Sequence, residues 1–546
     1  MQQPQPPLRV TARLLEVQVI AETKGGEAVP GLAREDFALL DDGREQKISL
    51  FAVETPQTGG AAEALPPNTF SNRLERTAAG ARSATAILFD GLNTRITDQS
   101  YAREQILKFL DQLQARDKIA LFALGRGLNV LQDFTSDAQA LKNALAGYKG
   151  DLSMEAESAL GPGVDTGVVQ LSTWLNEVRL NLIDYYRQDR ALRTIRALVA
   201  IANHMERLPG RKNLIWVSGS FPVWIGRESA PLPEKPAPGI QTFWPEIERA
   251  ARALNNANLA VYPVDAPGLI ATEEYSPEKG SISREAATSS VAGYQVMQVL
   301  AERTGGRAFY NNNDLRLALR RATDDGRLVY VLGYQPAHNE WNGKFRRIKV
   351  KVKRPGVRVR HREGYFAQPE EPGEPWYRDG VLSAAVWSPV EATRLGLTVR
   401  VVPQAGERLD LELELDPRDV RFELKEGIWH GAVDVYLVQI GPRDRHLQTL
   451  THIANLTLSP GTRERVLREN SLVLVERLDR LPEAVLLRIL VRDVASGALG
   501  SVSIPVSRIV ERPRSGGYRP PSRNSLNSRW KARADSTAAA LEASSP

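Results

Sequence analysis

The stretch Ala86-Ile-Leu-Phe-Asp-Gly-Leu-Asn-Thr94 decides how this chain is read. An apolar run ends in an acid, and a hydroxyl residue follows four places later. A buried parallel strand delivers a carboxylate to the carboxyl edge of its sheet in this way. The surrounding residues, 83–326, alternate strands with helices. A strand at 84–89 precedes a helix from about Asp98 to Leu113, where Ala102, Ile106, Leu107 and Leu110 recur at helical spacing. Lys118 to Leu124 reads as a buried strand and Leu128 to Leu131 as a short, antiparallel partner. Thr135-Ser-Asp137 offers an N-cap for a helix through Leu145. Residues 148–182 are less regular, and a long helix is expected over about 184–207. Strand Lys212 to Gly219, a helix near 243–256, strand Leu259 to Val264, helix 289–304, strand Ala308 to Tyr310 and helix 313–323 follow. This repetition predicts a mainly parallel sheet covered on both faces.

The flanks differ. Residues 8–55 are all-β in pattern, with Leu14 to Ala21 alternating and Asp42-Gly43 placed as a turn. Residues 327–366 return to that pattern. There Ile348, Val350 and Val352 alternate with Lys349, Lys351 and Lys353. The two segments are expected to pack together, with the α/β region inserted between them. Residues 55–80 read as a loop or linker, and 367–380 as a Pro- and Glu-rich linker. Residues 381–510 carry seven candidate strands between Gly, Pro and Asp turns, the pattern of a β-sandwich. The tail, 511–546, reads as disordered or loosely attached.

Composition narrows the function classes. At 546 residues the chain needs several cores. It has no cysteine, which removes thiolate nucleophiles, disulfides and Cys-ligated zinc. The six histidines are scattered, so a histidine metal centre is not expected. A net charge of +6 over so long a chain calls for no nucleic-acid partner. No run of 18 apolar residues occurs, so no transmembrane segment is expected. The start, Met1-Gln-Gln-Pro-Gln-Pro-Pro7, is polar and Pro-rich. It fits the mature end of an exported, periplasmic or secreted protein, with a cytoplasmic one as the alternative.

Several segments together resemble von Willebrand factor A (vWA)-related proteins of the acidobacterial type. They are Gly31-Leu-Ala-Arg-Glu-Asp-Phe37, Phe89-Asp-Gly-Leu-Asn-Thr94, Asp133-Phe-Thr135, Val261-Tyr-Pro-Val-Asp-Ala-Pro-Gly268, Gly305-Gly-Arg-Ala-Phe-Tyr310, Tyr330-Val-Leu-Gly-Tyr334 and Gly364-Tyr-Phe366. The resemblance spans about residues 14–366. It implies an α/β, Rossmann-like vWA domain with a mainly parallel sheet, flanked here by all-β sandwich-like domains. It also implies an Asp-x-Ser-x-Ser loop that holds Mg²⁺ or a similar hard cation through several oxygens. In this chain Asp90 and Thr94 fill the first and last places, so they are the residual metal candidates. Leu92 occupies the middle place, Val164 stands where a threonine is usual, and Ser218 where an acid is usual. The motif is therefore degenerate. No cofactor is expected, and room is left for weak Mg²⁺ or Ca²⁺ binding only.

The sheet edge remains the natural recognition surface. Asn93, Asp165, Thr166, Ser218 and Asp265 are its candidate binding residues. Catalysis finds little support: Gly-x-Ser-x-Gly and the phosphate-loop lysine motif are absent. Ser218-Gly-Ser220 reads as a tight turn. The acids Asp151, Glu155 and Glu157 lack the register of a calcium loop. The Lys349/Lys351/Lys353 and Arg358/Arg360/Arg362 faces read as solvated strand faces. The expected function is a non-catalytic module that binds a protein or cell-surface ligand through loops at the carboxyl edge. The alternatives are a structural part of an envelope assembly, and a hydrolase with a site at a domain boundary.

Overall fold

The computed structural model describes residues 14–55, 65–73, 83–149, 169–219, 221, 224–225, 241–266, 284–310, 314–338, 340–367, 382 and 384–510. Strand Ser83–Asp90 lies at the centre of a five-stranded sheet. It pairs in parallel with Ile119–Leu124 on one side and Arg211–Ser218 on the other. Leu259–Asp265 adds in parallel beyond Arg211–Ser218, and Leu128–Thr135 closes the other edge antiparallel. In chain order this is 3-2-1-4-5, a doubly wound arrangement with its switch point between Asp90 and Ser218. Phe309 extends the series through a parallel bridge to Val264.

Alternation along the central strand explains the two layers of helix. Ile87 and Phe89 face helices Ile96–Leu110, Ala138–Gly147 and Leu315–Asp324. Ala86 and Leu88 face Val169–Met205, Trp244–Asn256 and Arg284–Thr304. The third of these helices ends where Gly305 takes φ +79° and Gly306 lies against the Val261 carbonyl, an approach no Cβ would permit. Several boundaries differ from the sequence reading, among them the helix expected over 289–304, which begins at Arg284. The long helix begins at Val169, fifteen residues early, because its first half exposes an apolar face that does not read as an amphipathic surface helix. The antiparallel edge strand runs on to Thr135.

Residues before and after the α/β unit interleave. Leu15–Glu22 pairs with Val329–Tyr334, from Leu15↔Tyr334 to Val19↔Tyr330, and Phe37–Asp41 pairs with Phe345–Val352. Two four-stranded sheets result, sharing a core of Val17, Val19, Leu39, Tyr330, Leu332 and Ile348. The hairpin between Phe37–Asp41 and Arg44–Gln46 turns on Asp42 and Gly43 at φ 46° and 82°, as a two-residue loop of this twist requires.

The C-terminal unit is a sandwich of two antiparallel sheets around Val399, Leu411, Leu413, Val435, Leu474 and Ile489. One of its edge strands comes from the segment expected to be a linker. Thr69–Ser71 pairs with Leu397–Pro403, through Thr398↔Ser71 and Arg400↔Thr69. Buried Asn72 then locks the chain. Its Nδ2 donates to the carbonyls of Ala392 (2.7 Å) and Leu395 (2.9 Å), and its Oδ1 accepts from the Leu397 N–H (2.7 Å). A three-residue strand shows no readable period, and its partner lies 327 residues away, so local pattern could not reveal it.

Both β units grip the amino edge of the parallel sheet. The N-terminal unit does so through Arg360 on Asp325 (2.6 Å), Arg307 on Glu22 (2.5 Å) and Arg362 on Asn255 (3.1 Å). Arg360 and Arg362 thus turn inward, while Lys349, Lys351 and Lys353 stay exposed. The C-terminal unit docks at the end of the long helix. There Arg207 bridges Asp416 (2.9 Å) and Asp419, and the Thr393 hydroxyl donates to the carbonyls of Asn203 and His204 (both 3.0 Å). These contacts satisfy carbonyls that a helix C-terminus leaves open.

Candidate functional site

Strand Ser83–Asp90 places Asp90 at the carboxyl edge, where the chain turns through Gly91, Leu92 and Asn93 into helix Ile96–Leu110. The Asp90 side chain is fully buried. Its Oδ1 accepts the backbone N–H of Asn93 (3.0 Å). Its Oδ2 accepts Asn93 Nδ2, Trp216 Nε1 and Ser218 Oγ, each at 2.9 Å. Asn93 Nδ2 also reaches Thr194 Oγ1 on the long helix (2.7 Å). Thr94 Oγ1 donates to the Asp90 carbonyl (2.5 Å) and accepts from Gly219 N–H (2.9 Å). Gln99 Nε2 ties the turn from behind, donating to the carbonyls of Gly91 (3.0 Å) and Thr94 (2.8 Å).

Burial pushes the Asp90 carboxyl above the usual carboxylate range, and the bonds from Asn93, Trp216 and Ser218 draw it back only in part. The group is a hub. One carboxylate joins its own turn to the neighbouring strand through neutral donors, and Asn93 carries the link on to the long helix.

This donor set does not fit a hard cation. Mg²⁺ and Ca²⁺ require oxygen ligands presented with free lone pairs. An indole N–H, an amide N–H and a hydroxyl already point at the Asp90 oxygens, and the indole has no lone pair to offer a metal. Leu92 is buried beside them. Ser218, where the resemblance implies a second acid, donates its proton to Asp90 instead. One atom remains unexplained: buried Asn93 Oδ1 accepts no bond. Among the described residues no three His, Asp or Glu side chains gather into a metal-holding group.

The structure brings Asp90, Asn93, Thr94 and Ser218 together, all at 1% exposure or less. As fully covered side chains they organise the edge from beneath and cannot themselves touch a partner. Asp265 ends the next strand, also buried, and accepts the Tyr294 hydroxyl (3.2 Å). That hydroxyl is held well above its usual range by burial and by the Asp265 charge. Asp165 and Thr166 lie outside the described residues, as do Asp151, Glu155 and Glu157. His204 is not near this site. It follows Thr194 by ten residues, about 15 Å along the helix, and sits at the amino edge on the Glu391 carbonyl (3.0 Å).

Sequence reasoning missed Trp216, Gln99 and Thr194. Trp216 carried a signal, since a buried indole in a parallel strand must find an acceptor. The exposed residues of this turn are Arg95, Ile96 and Thr97, one step beyond the motif.

No family model matches the chain, and no curated protein matches it. Several solved structures are similar to parts of it. An aerotolerance-related membrane protein from Bacteroides fragilis is 14% identical, over 44% of this chain and 98% of its own, with a TM-score of 0.25. A von Willebrand factor type A protein from Catenulispora acidiphila is 11% identical, over 62% and 81%, with a TM-score of 0.25. The pilus adhesin SpaC from Lactobacillus rhamnosus GG is 10% identical, over 79% and 57%, with a TM-score of 0.28. Strand order and pairing define the fold of the parallel sheet. No described helix is long and apolar enough to cross a membrane.

Proposed function

We propose that this chain is a non-catalytic binding protein of the vWA type, exported from the cell, that recognises a protein or surface ligand through the loops at the carboxyl edge of its parallel sheet. One observation carries the reading. Both β units dock on the amino edge, through Arg360–Asp325 and Arg207–Asp416, so they hold the sheet from behind. The opposite edge is where ligands bind in open α/β sheets. Its turn is pinned by Asp90 beneath and presents Arg95, Ile96 and Thr97 above. A rigid base under exposed loop residues suits recognition. With the Asp90 oxygens engaged by protein donors, contact proceeds without a bridging ion.

Two measurements test this. A photo-activated cross-linking residue at Thr97 should capture a partner on cells, whereas the same residue at Lys351 should not. Equal capture at both positions, or none at Thr97, would overturn the placement. Calorimetric titration with Mg²⁺ and Ca²⁺ should give no heat and no melting shift. A millimolar or tighter site that is lost in Thr94→Ala would overturn the ion-free reading.

A further inference from the structure

Helix Val169–Met205 has two unlike halves. From Ala191 on, Ala191, Ile195, Leu198 and Ile201 pack against the sheet, and the outward side carries Arg193 and exposed Arg196. Asn93 meets the helix at Thr194. The preceding part, some twenty residues or about 30 Å at 1.5 Å per residue, runs past the carboxyl edge. There the outward side turns apolar. Leu171 is 45% exposed, Trp174 58%, Val178 38%, Leu182 40% and Tyr185 63%.

The spacing of these five residues is symmetric. Trp174 and Leu182 lie four places either side of Val178, and Leu171 and Tyr185 lie seven places either side. At 100° per residue all five fall within one narrow stripe. A second copy laid antiparallel, with a two-fold axis at Val178, sets Trp174 against Leu182, Leu171 against Tyr185 and Val178 against itself. Each aromatic side chain then meets a leucine, and two valines meet on the axis. A parallel pairing would instead stack Trp174 on Trp174 and Tyr185 on Tyr185.

Area agrees. The stripe exposes roughly 500 Å² of side chain, at the upper end of what a monomer leaves in one patch. Two copies would cover at most roughly 1,000 Å², the lower end of specific interfaces. We propose that the chain forms a two-fold homodimer through antiparallel pairing of its 171–185 helical segments, centred on Val178. Such an isologous contact closes on itself and leaves no surface for further growth. The inference does not rest on the proposed function.

The lack of cysteine makes a direct test available. In the full chain, Val178→Cys should cross-link to a covalent dimer on oxidation or with a short bis-maleimide, because only residues on the axis meet their own copies. Trp174→Cys alone should cross-link poorly, and a mixture of Trp174→Cys with Leu182→Cys efficiently. At tens of micromolar, light scattering should give a dimer mass for the wild type and a monomer mass for Trp174→Glu. The far-UV circular dichroism of Trp174→Glu should match the wild type, since the side chain is exposed within one copy. A monomeric wild type with no Val178→Cys cross-link would overturn the proposal. So would equal self-cross-linking at Leu171, Trp174 and Val178, which would mean parallel pairing. Binding of the stripe to phosphatidylcholine vesicles without self-association would assign it to a membrane surface and overturn the dimer.

Discussion

Two buried carboxylates of this protein are held by opposite means. Asp90, inside the α/β unit, is held by neutral donors: an indole, an amide, a hydroxyl and a backbone N–H. Asp416, at the junction with the C-terminal sandwich, is held by the Arg207 guanidinium. Burial pushes both carboxyls up. At Asp416 the hydrogen bonds and charge of Arg207 outweigh it and hold the group below the usual carboxylate range. At Asp90 the dipoles do not outweigh it. The difference teaches what each site is for. A hub within one unit needs many geometric ties, which neutral donors supply. A clasp between units needs one strong tie with few atoms, which an arginine fork supplies.

Replacing the hub should produce the largest effect. Asp90→Ala leaves several buried donors without an acceptor, and each such loss costs about 1–3 kcal/mol. A total near 4 kcal/mol is expected, read as a lower melting transition of the α/β unit in calorimetry. A variant as stable as wild type would mean that Asp90 joins nothing. Arg207→Ala breaks the clasp and strands Asp416 and Asp419, costing about 3 kcal/mol. Here the signature is different: the single transition should split, with the C-terminal sandwich melting apart from the rest.

A finer cut sharpens the hub. Trp216→Phe keeps a six-membered ring, deletes one donor and leaves a small cavity, so it should cost about 2–3 kcal/mol. A loss as large as that of Asp90→Ala would assign the indole, rather than the carboxylate, the organising role.

The smallest effect tests the junction by pH. Burial disfavours the His204 imidazolium, but Asp133, 3.6 Å away, outweighs this and raises its pKa. The Asp133 carboxyl is lowered in turn by His204, against its own burial. A raised histidine adds stability that is full below the unfolded value near 6.5 and fades as pH rises through the folded one. A lowered aspartate adds stability above about 3.8 that is lost as pH falls. The contact should thus be strongest between about pH 4 and 6.5. The wild type should lose slightly more melting temperature than His204→Gln between pH 6 and 8. Identical profiles would show that the pair is not coupled to docking.

Much of the fold was legible where pattern is local. The seven C-terminal strands read from the sequence correspond to strands between Leu397 and Pro505, because alternation and turn residues act over a few positions. The apolar run before Asp90 named its own strand for the same reason. Thr69–Ser71 was not legible, since its partner is far along the chain. Nor was the start of the long helix, where apolar residues face outward.

The candidate site divides in the same way. The residues of 86–94 by themselves determined that a carboxylate stands at the end of a buried parallel strand, and that Leu92 breaks the oxygen spacing a cation needs. Which groups Asp90 meets was decided only by tertiary structure. Trp216 and Ser218 come from another strand, and only the packing of the sheet sets their donors within hydrogen-bond reach. A hydrogen bond depends on a few tenths of an ångström and on angle, and sequence spacing carries neither across a hundred residues of intervening chain.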